Sequence, residues 1–360
     1  MSALPSIKSL TLDDFGARLS ALGQPGYRAK QVMQWLYEKR VKSFAAMSDL
    51  PAALRTQLAA EFSFDDVQPV RTLGSKDTTL KYLFQLGDGA LIESVLIPAS
   101  PALYGEASDR RTICISTQVG CAYGCKFCAS GLDGWSRNLS AGEIVEQVLR
   151  VEELSGEKIN NIVFMGMGEP LANFANLMRA VTIINAPWGV HLGARHITIS
   201  TSGLAPQIRE LAEQPLQVRL AISLHGATDE VRSQIMPVNR KYPLAVLLEA
   251  CAFYTARKKQ WLTFEYILIE GVNDRPEDAA ALVRVARKVQ GVKVNCIPYN
   301  KVEGLDWKRP NEARQDAFMA VLAAARIPAT LRREKGHDIA AACGQLRRQT
   351  LPAGVDRGSG

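Results

Sequence analysis

The sequence lacks a membrane-spanning stretch, since no apolar run approaches the ~20 residues that a helix needs to cross a bilayer. Its opening, MSALPSIKSLTLDD, has neither a basic segment nor an apolar core, so no secretory leader is expected and a cytoplasmic location is. Histidine is scarce: the chain has four, His191, His196, His225 and His337. There is no second C-x2-C pair to complete the four-ligand set of a structural zinc site. Cysteine numbers seven, an odd count, and four of these fall within one short stretch. That distribution argues against a disulfide scaffold and for a metal or catalytic site in a reducing compartment. No internal repeat is visible, and only the end, LPAGVDRGSG, has the composition of a disordered tail.

What is present is a 360-residue chain able to bury a sizeable core, with a formal net charge of +7. That charge serves solubility by itself and points to nucleic acid only if it is localised beside chemistry. Residues 1–62 read as a small helical unit. In YRAKQVMQWLYEKR, Val32, Trp35 and Leu36 make one apolar helical face, ringed by Arg28, Lys30, Lys39, Arg40 and Lys42. The ring faces either solvent or RNA. Residues 63–106 follow, where TLKYLFQLGDGALIESVLIP predicts a hairpin turning at Gly87-Asp88-Gly89.

From 112 to 331 strands alternate with helices. The strand-like runs are TICIST, NNIVFMG, HITIST, VRLAISL, LTFEYILI and VKVNCIP, each followed by a helical segment. Such alternation predicts parallel strands with right-handed crossovers. Six units suit a partial barrel or a doubly wound sheet, and periodicity does not choose between them. In either architecture the chemistry belongs at the carboxyl ends of the strands.

The cysteine-rich stretch is CISTQVGCAYGCKFCAS. Cys121, Cys125 and Cys128 follow C-x3-C-x2-C, with Cys114 seven residues upstream. Three thiolates on one loop can hold three irons of a [4Fe–4S] cube and leave the fourth iron open, whereas a closed ferredoxin cluster wants one more cysteine nearby. Further polar residues fall at later strand ends. FMGMGEPLAN places Glu169 there, after Gly168; ITISTSGL places Ser200, Thr201 and Ser202; LAISLHGA places Ser223 and His225; IPYN places Asn300. Singly, each also suits a helix cap or a turn. Cys114, Cys251 and Cys296 occupy apolar strand or helix settings where buried thiols are usual. Cys343, in HDIAAACGQL, sits on a late, glycine-flanked segment that can reach a site mouth. Leu91, Glu93, Val95 and Ile97 share a strand face, so the Glu93 carboxylate stands on an otherwise apolar stripe, where burial would tune it for proton exchange.

GCAYGCKFCASGLDGWSRNLSAGEI, MGMGEPLAN, STSGL, ISLHGATDEVRSQIMPVNRKYPL and DIAAACGQL together resemble the bacterial radical S-adenosylmethionine RNA methyltransferases, over nearly the whole chain. The closer branch is dual-specificity and methylates adenine carbon-2 in rRNA and tRNA; its near neighbour methylates carbon-8. The resemblance implies a partial (β/α)6 barrel over 107–335, with 1–62 an RNA-binding accessory domain. It implies that 336–360 carries the methyl-bearing cysteine and a flexible tail. Cys121, Cys125 and Cys128 match the ligands of one [4Fe–4S] cluster. Gly168, Glu169, Ser200, Ser223, Leu224, His225 and Asn300 match the positions that bind S-adenosyl-L-methionine, of which two molecules serve each methylation.

Cys343 matches the thiol that becomes S-methylcysteine and bonds to the RNA. Cys114 matches the thiol that takes the carbon-2 proton and resolves the adduct through a Cys114–Cys343 disulfide. Glu93 matches the proton acceptor. The implied partners are 23S rRNA at the peptidyl-transferase centre, tRNA, an electron donor and a disulfide reductant, with the chain a monomer and no membrane involved. Two stretches depart from the family pattern: a longer ASPALYGEASD link, and GLDGWSRN with His337 where an acidic residue is common. They bear on the tRNA activity and on the carbon chosen. The alternatives are the carbon-8 activity, a radical activase acting on a protein glycine, and a zinc-stabilised or electron-transfer RNA-binding module.

Overall fold

The computed structural model describes residues 4–64, 66–99, 109–131, 134–302, 305–332 and 339. Three helices come first: α1 (Leu12–Ala21), α2 (Tyr27–Met33) and α3 (Ala52–Glu61). A reciprocal cap starts α1, with Asp14 N donating to Thr11 Oγ1 and Thr11 N to Asp14 Oδ2, each at 3.2 Å. α2 runs on into one π-helical turn, Gln34–Glu38. That turn shifts the apolar face. Val32 and Leu36 are buried as expected, but Tyr37 joins them, while Trp35 stays half-buried and donates from Nε1 to Asp49 Oδ1 at 2.5 Å.

An antiparallel meander follows, β1 (Val67–Gly74), β2 (Leu80–Leu86) and β3 (Leu91–Pro98), and leads into β4 (Arg111–Cys114). The expected hairpin is the β2–β3 pair, where Gly89 takes φ 83° at the turn. Strand β1 was not expected. It is an edge strand with only Val67 buried, a proline at 69 and a bulge between Pro69 and Arg71, so it carries no apolar alternation to read.

Beyond β4 lie β5 (Gln118–Gly120) and β6 (Trp135–Asn138), a small antiparallel pair that brackets the cysteine loop. Then come α4 (Ala141–Ser155), β7 (Asn161–Phe164), α5 (Phe174–Asn185), β8 (Ile197–Thr201), α6 (Ala205–Glu213) and β9 (Arg219–Ser223). The chain continues through α7 (Asp229–Ile235), α8 (Leu244–Lys258), β10 (Leu262–Leu268), α9 (Pro276–Ala286), β11 (Val292–Pro298), α10 (Glu312–Ala324) and β12 (Ala329–Leu331).

The main sheet runs β1-β2-β3-β4-β7-β8-β9-β10-β11-β12 and does not close on itself. Strands β4 and β7 to β11 are mutually parallel, which is the expected partial (β/α)6 barrel, and the short β12 adds a further parallel strand. Pairing puts Cys114 beside Val163, Ser200 beside Ala221, and Ser223 beside Glu265, all on the concave face. Ile113, Ile162, Ile199, Leu220 and Phe264 point the other way into the apolar core. Polar side chains therefore line the inside of the barrel.

The accessory helices dock on α4 through a buried ion pair. Lys8 Nζ lies 2.9 Å from Glu146 Oε1 and donates to Phe64 O at 2.6 Å, while Glu146 Oε2 accepts from Asp66 N and Val67 N, each at 2.9 Å. With its remaining bonds filled, this pair avoids the usual cost of burying charge. Contact with the first residues is close enough that a Cβ at Gly142 would lie 2.5 Å from Ser6 Oγ. No helix among the described residues is long and apolar enough to cross a membrane.

Candidate active site

The loop from Cys121 to Cys128 crosses the carboxyl ends of the barrel strands. It is held by Cys121 N donating to Gly134 O at 3.1 Å, Cys128 N to Cys125 O at 3.1 Å and Lys126 N to Ile235 O at 2.8 Å. All three thiols line one cavity, together with Glu169, Ser200, Ser223 and His225. Burial, with the Cys128 thiol adding to it, pushes the Cys121 thiol up to about 12, and burial together with both neighbouring thiols raises the Cys125 thiol well above its ordinary value. Thiolates crowded this way need a cation to exist as charges, and the resemblance noted in the sequence implies a [4Fe–4S] cluster here. The donor set fits: three soft sulfur ligands on one loop with no fourth protein ligand in the motif. Among the described residues no group of three His, Cys, Asp or Glu is placed around a single metal ion. Ligands to separate irons of one cube need not converge that far.

The Glu169 carboxylate is placed by two glycines. Gly166 N donates to Ile115 O at 3.1 Å, and a Cβ on Gly166 would lie 2.6 Å from the Ile115 carbonyl carbon. Gly168 takes φ 99°, and a Cβ there would lie 2.5 Å from Gln118 Cβ. The end of β7 can pass this close to the β4–β5 connection only without side chains. Glu169 itself is buried; Oε2 accepts from Ser202 N at 2.6 Å and Oε1 from Leu171 N at 3.1 Å. Burial raises its proton affinity, and the Ser202 amide offsets part of that rise. A carboxylate so held suits a cationic amine.

His225 has φ 54°, and its Nδ1 accepts from Ile267 N at 3.0 Å, leaving Nε2 to carry the proton. Burial first, and then Arg232, bring the imidazole down to about 3. The Phe127 ring meets it edge-on at 4.5 Å between centroids, which ties the cysteine loop to the end of β9. Leu224 does not line the cavity: its side chain is fully buried, its N donates to Glu265 O at 3.0 Å, and its O accepts from Arg232 Nε at 3.2 Å. Asn300 is buried two residues past the end of β11, outside the cavity lining.

Cys114 is 9% exposed on the concave face of β4, and Cys251 and Cys296 are fully buried. Glu93 is buried as expected, but its stripe is not wholly apolar, because Lys81 Nζ lies 3.0 Å from its Oε1. Cys343 and His337 lie outside the described residues.

Three residues of the site region went unremarked in the sequence. Arg232 has no exposed surface and donates to Leu224 O, Asn239 Oδ1 at 2.8 Å and Ser202 O at 2.5 Å, joining the ends of β8 and β9 to α7. Its helical spacing from Ile235 and Met236 was the available signal. Glu265 lines the cavity and accepts from Asn295 Nδ2 at 2.6 Å, and strict alternation with Thr263 and Ile267 would have placed it there. Asn273 donates to His225 O at 2.7 Å and to Ile267 O at 2.6 Å, a loop-to-strand contact without a sequence signature.

Residues 115–283 match the family model of the radical SAM superfamily, and residues 6–63 that of the ribosomal RNA large subunit methyltransferase N-terminal domain. A protein of Akkermansia muciniphila, described as a probable dual-specificity RNA methyltransferase RlmN, is 54% identical over 347 residues, covering 96% of each chain. One of Opitutus terrae, described as probable dual-specificity RNA methyltransferase RlmN 3, is 52% identical over 358 residues, covering 97% of this chain and 96% of that one. The crystal structure of a radical SAM methyltransferase from Sphaerobacter thermophilus superposes with a TM-score of 0.89 at 44% identity, over 96% of this chain and all of that one.

Proposed function

This chain belongs to the RlmN family of dual-specificity RNA methyltransferases, within the radical S-adenosylmethionine superfamily, and from that premise we propose that it methylates carbon-2 of an adenosine in the peptidyl-transferase centre of 23S rRNA, and an adenosine of tRNAs. The observation that carries the reading is the shared cavity of Cys121, Cys125, Cys128 and the buried Glu169 at the strand ends. The three thiolates would hold the [4Fe–4S] cluster, which with S-adenosyl-L-methionine and one electron supplies a 5′-deoxyadenosyl radical.

The chain's own residues do the rest. Glu169 receives the methionine ammonium. Ser200, Ser223 and the Nε2–H of His225 offer hydrogen bonds from the neighbouring strand ends, with Gly168 giving the backbone close approach; Leu224 and Asn300 support them from outside the lining. Cys343 takes a methyl group from one S-adenosyl-L-methionine molecule, gives up a hydrogen atom of that methyl to the radical from a second, and bonds through the same carbon to adenine carbon-2. Cys114 takes the carbon-2 proton and passes it to Glu93. The adduct also gives up its unpaired electron, for which the cluster would be the acceptor. The Cys114 thiolate sulfur then bonds to that of Cys343, and the bond from the Cys343 sulfur to the methylene carbon breaks with its electron pair going to that carbon. The carbon takes a proton from water as the methylated base leaves. A dithiol reductant reopens the disulfide by exchange. The helical unit of 1–62 contacts the RNA, and the target adenosine is splayed from its stack to reach the barrel.

The test is mass spectrometry of adenosines from a 23S rRNA fragment incubated anaerobically with reconstituted protein, S-adenosyl-L-methionine and dithionite. 2-Methyladenosine is expected, absent from Cys343→Ala, with one S-adenosylhomocysteine and one 5′-deoxyadenosine released per methyl added. 8-Methyladenosine would move the protein to the neighbouring branch. Radical cleavage without any methylated base would favour an activase.

A further inference from the structure

Glu93 and Lys81 form a buried ion pair between neighbouring strands. Lys81 is on β2 and Glu93 on β3; their side chains are 3% and 1% exposed, and Nζ lies 3.0 Å from Oε1. Taking two such charges out of water costs several kcal/mol apiece, and a well-packed apolar pair in their place is often as stable. The sheet face around them is apolar, with Glu93 opposite Leu83 and Lys81 opposite Val95. A charge pair kept at that cost points to a use.

Register shows where the pair is aimed. Val95 is paired with Lys81 on one side and with Cys114 on the other, and directly paired residues project from the same face. Glu93, two residues from Val95 on β3, projects from that face too. Lys81, Glu93 and Cys114 thus surround one valine. The level along the barrel is fixed by Ser116, whose Oγ donates to Glu93 O at 2.7 Å and accepts from Met167 N at 2.9 Å. Glu93 therefore stands at the carboxyl end of β4, beside the connection that leads to the cysteine loop.

We propose that Lys81 is a positioning residue of the methylation, holding the Glu93 carboxylate charged and oriented to receive the proton that Cys114 gives up. This rests on the reading above, in which Glu93 is the proton acceptor. In that step the S–H bond of Cys114 breaks, an O–H bond forms on Glu93, and the electron pair stays on sulfur; nothing is oxidised or reduced. A carboxylate can take the proton only in its charged form, and an ammonium 3.0 Å away favours that form. After the transfer the same ammonium faces the thiolate from across Val95, so the group of three keeps its net charge throughout and no new charge is buried.

The experiment compares full-length, reconstituted wild type with Lys81→Met, Lys81→Arg, Glu93→Gln and the double variant Lys81→Met/Glu93→Gln. Three quantities are read: kcat and KM for methyladenosine, the S-methyl group on Cys343 by intact mass, and covalent protein–RNA adduct on denaturing gels. For K81M we expect kcat to fall about tenfold or more with KM within about twofold, the S-methyl group retained and adduct accumulating. K81R should recover most of the rate. The double variant should be no slower than E93Q alone, because the two residues act as one unit. If K81M does not fold, the neutral double variant set against E93Q decides the matter in its place. The proposal is overturned by a K81M rate within about twofold of wild type, by losses that multiply in the double variant, or by K81R as slow as K81M in folded, S-methylated protein. Wild type that makes no methyladenosine at all would instead sink the functional reading and this proposal with it.

Discussion

Ile267 donates its backbone N–H to Nδ1 of His225 at 3.0 Å, and this bond fixes which nitrogen of the imidazole faces the cavity. With Nδ1 engaged as an acceptor, Nε2 carries the proton, and the ring serves as a neutral donor at the end of β9. Burial and the adjacent Arg232 bring the group down to about 3, far below the ordinary value near 6.5.

The sign of the resulting pH dependence follows. In the unfolded chain His225 binds a proton below about pH 6.5, while in the fold it stays neutral until about pH 3. Its contribution to stability is therefore whole above about pH 6.5 and is lost as pH falls, at up to about 1.4 kcal/mol per unit. Between pH 7 and pH 5 the wild type should lose about 2 kcal/mol through this group, and His225→Asn should lack that part of the loss. Urea unfolding at the two pH values measures it. Equal losses in both proteins would mean that the imidazole is charged in the fold.

Arg232 offers a stability test without titration. Its guanidinium fills the carbonyls of Ser202 and Leu224 and the amide oxygen of Asn239, all out of reach of water. Arg232→Met leaves these acceptors unpaired, at about 1–3 kcal/mol for each one that stays buried. A loss of at least about 3 kcal/mol is expected, with faster amide exchange at the ends of β8 and β9. A loss below about 1 kcal/mol would show that water replaces the guanidinium.

How much of this was legible beforehand depended on whether the signal was local. The six parallel strands were readable because each is a short apolar run between turn signals, and the cysteine loop because its spacing is its chemistry. Strand β1 was not, since an exposed edge with a proline has no pattern to find. Nor was Lys81 as the partner of Glu93, because cross-strand register appears in no single window of sequence. Arg232 is the instructive miss. Its neighbours at helical spacing are apolar, yet an arginine invites the assumption of solvent.

Two glycines should respond oppositely to alanine. A Cβ on Gly166 would lie 2.6 and 2.7 Å from the carbonyl carbon and oxygen of Ile115, backbone atoms that cannot rotate away. Gly166→Ala should cost about 1–3 kcal/mol and, by parting β4 from β7, weaken S-adenosyl-L-methionine binding in equilibrium dialysis. Gly16 sits inside α1 with nothing within 4 Å of a new Cβ. Gly16→Ala should stabilise by about 0.5–1 kcal/mol and leave binding unchanged. Thermal melts and dialysis on both variants separate crowding from helix propensity; similar behaviour of the two would contradict the close approach at Gly166.

The basic residues divide by what already occupies them. In the run 257–259, Arg257 is bound to Glu213 at 2.9 Å, and Lys258 is buried, donating to the carbonyls of Gln214 and, at 3.0 Å, Leu216. These bonds fasten α8 to the end of α6, and the Arg257 charge already faces that of Glu213. In the accessory unit Lys30 is exposed, and exposed Lys39 lies over the Trp35 ring at 3.5 Å, a cation beside an aromatic face of the kind that bases stack on. Affinity for an rRNA fragment should fall steeply with salt. Replacing both Lys30 and Lys39 by alanine should reduce the log–log slope by about 1.4–1.8, the share of two phosphate contacts. Arg257→Ala should leave that slope alone. If instead the Arg257 variant flattens it and the double variant does not, the RNA lies across α8 and the accessory helices are turned away from it.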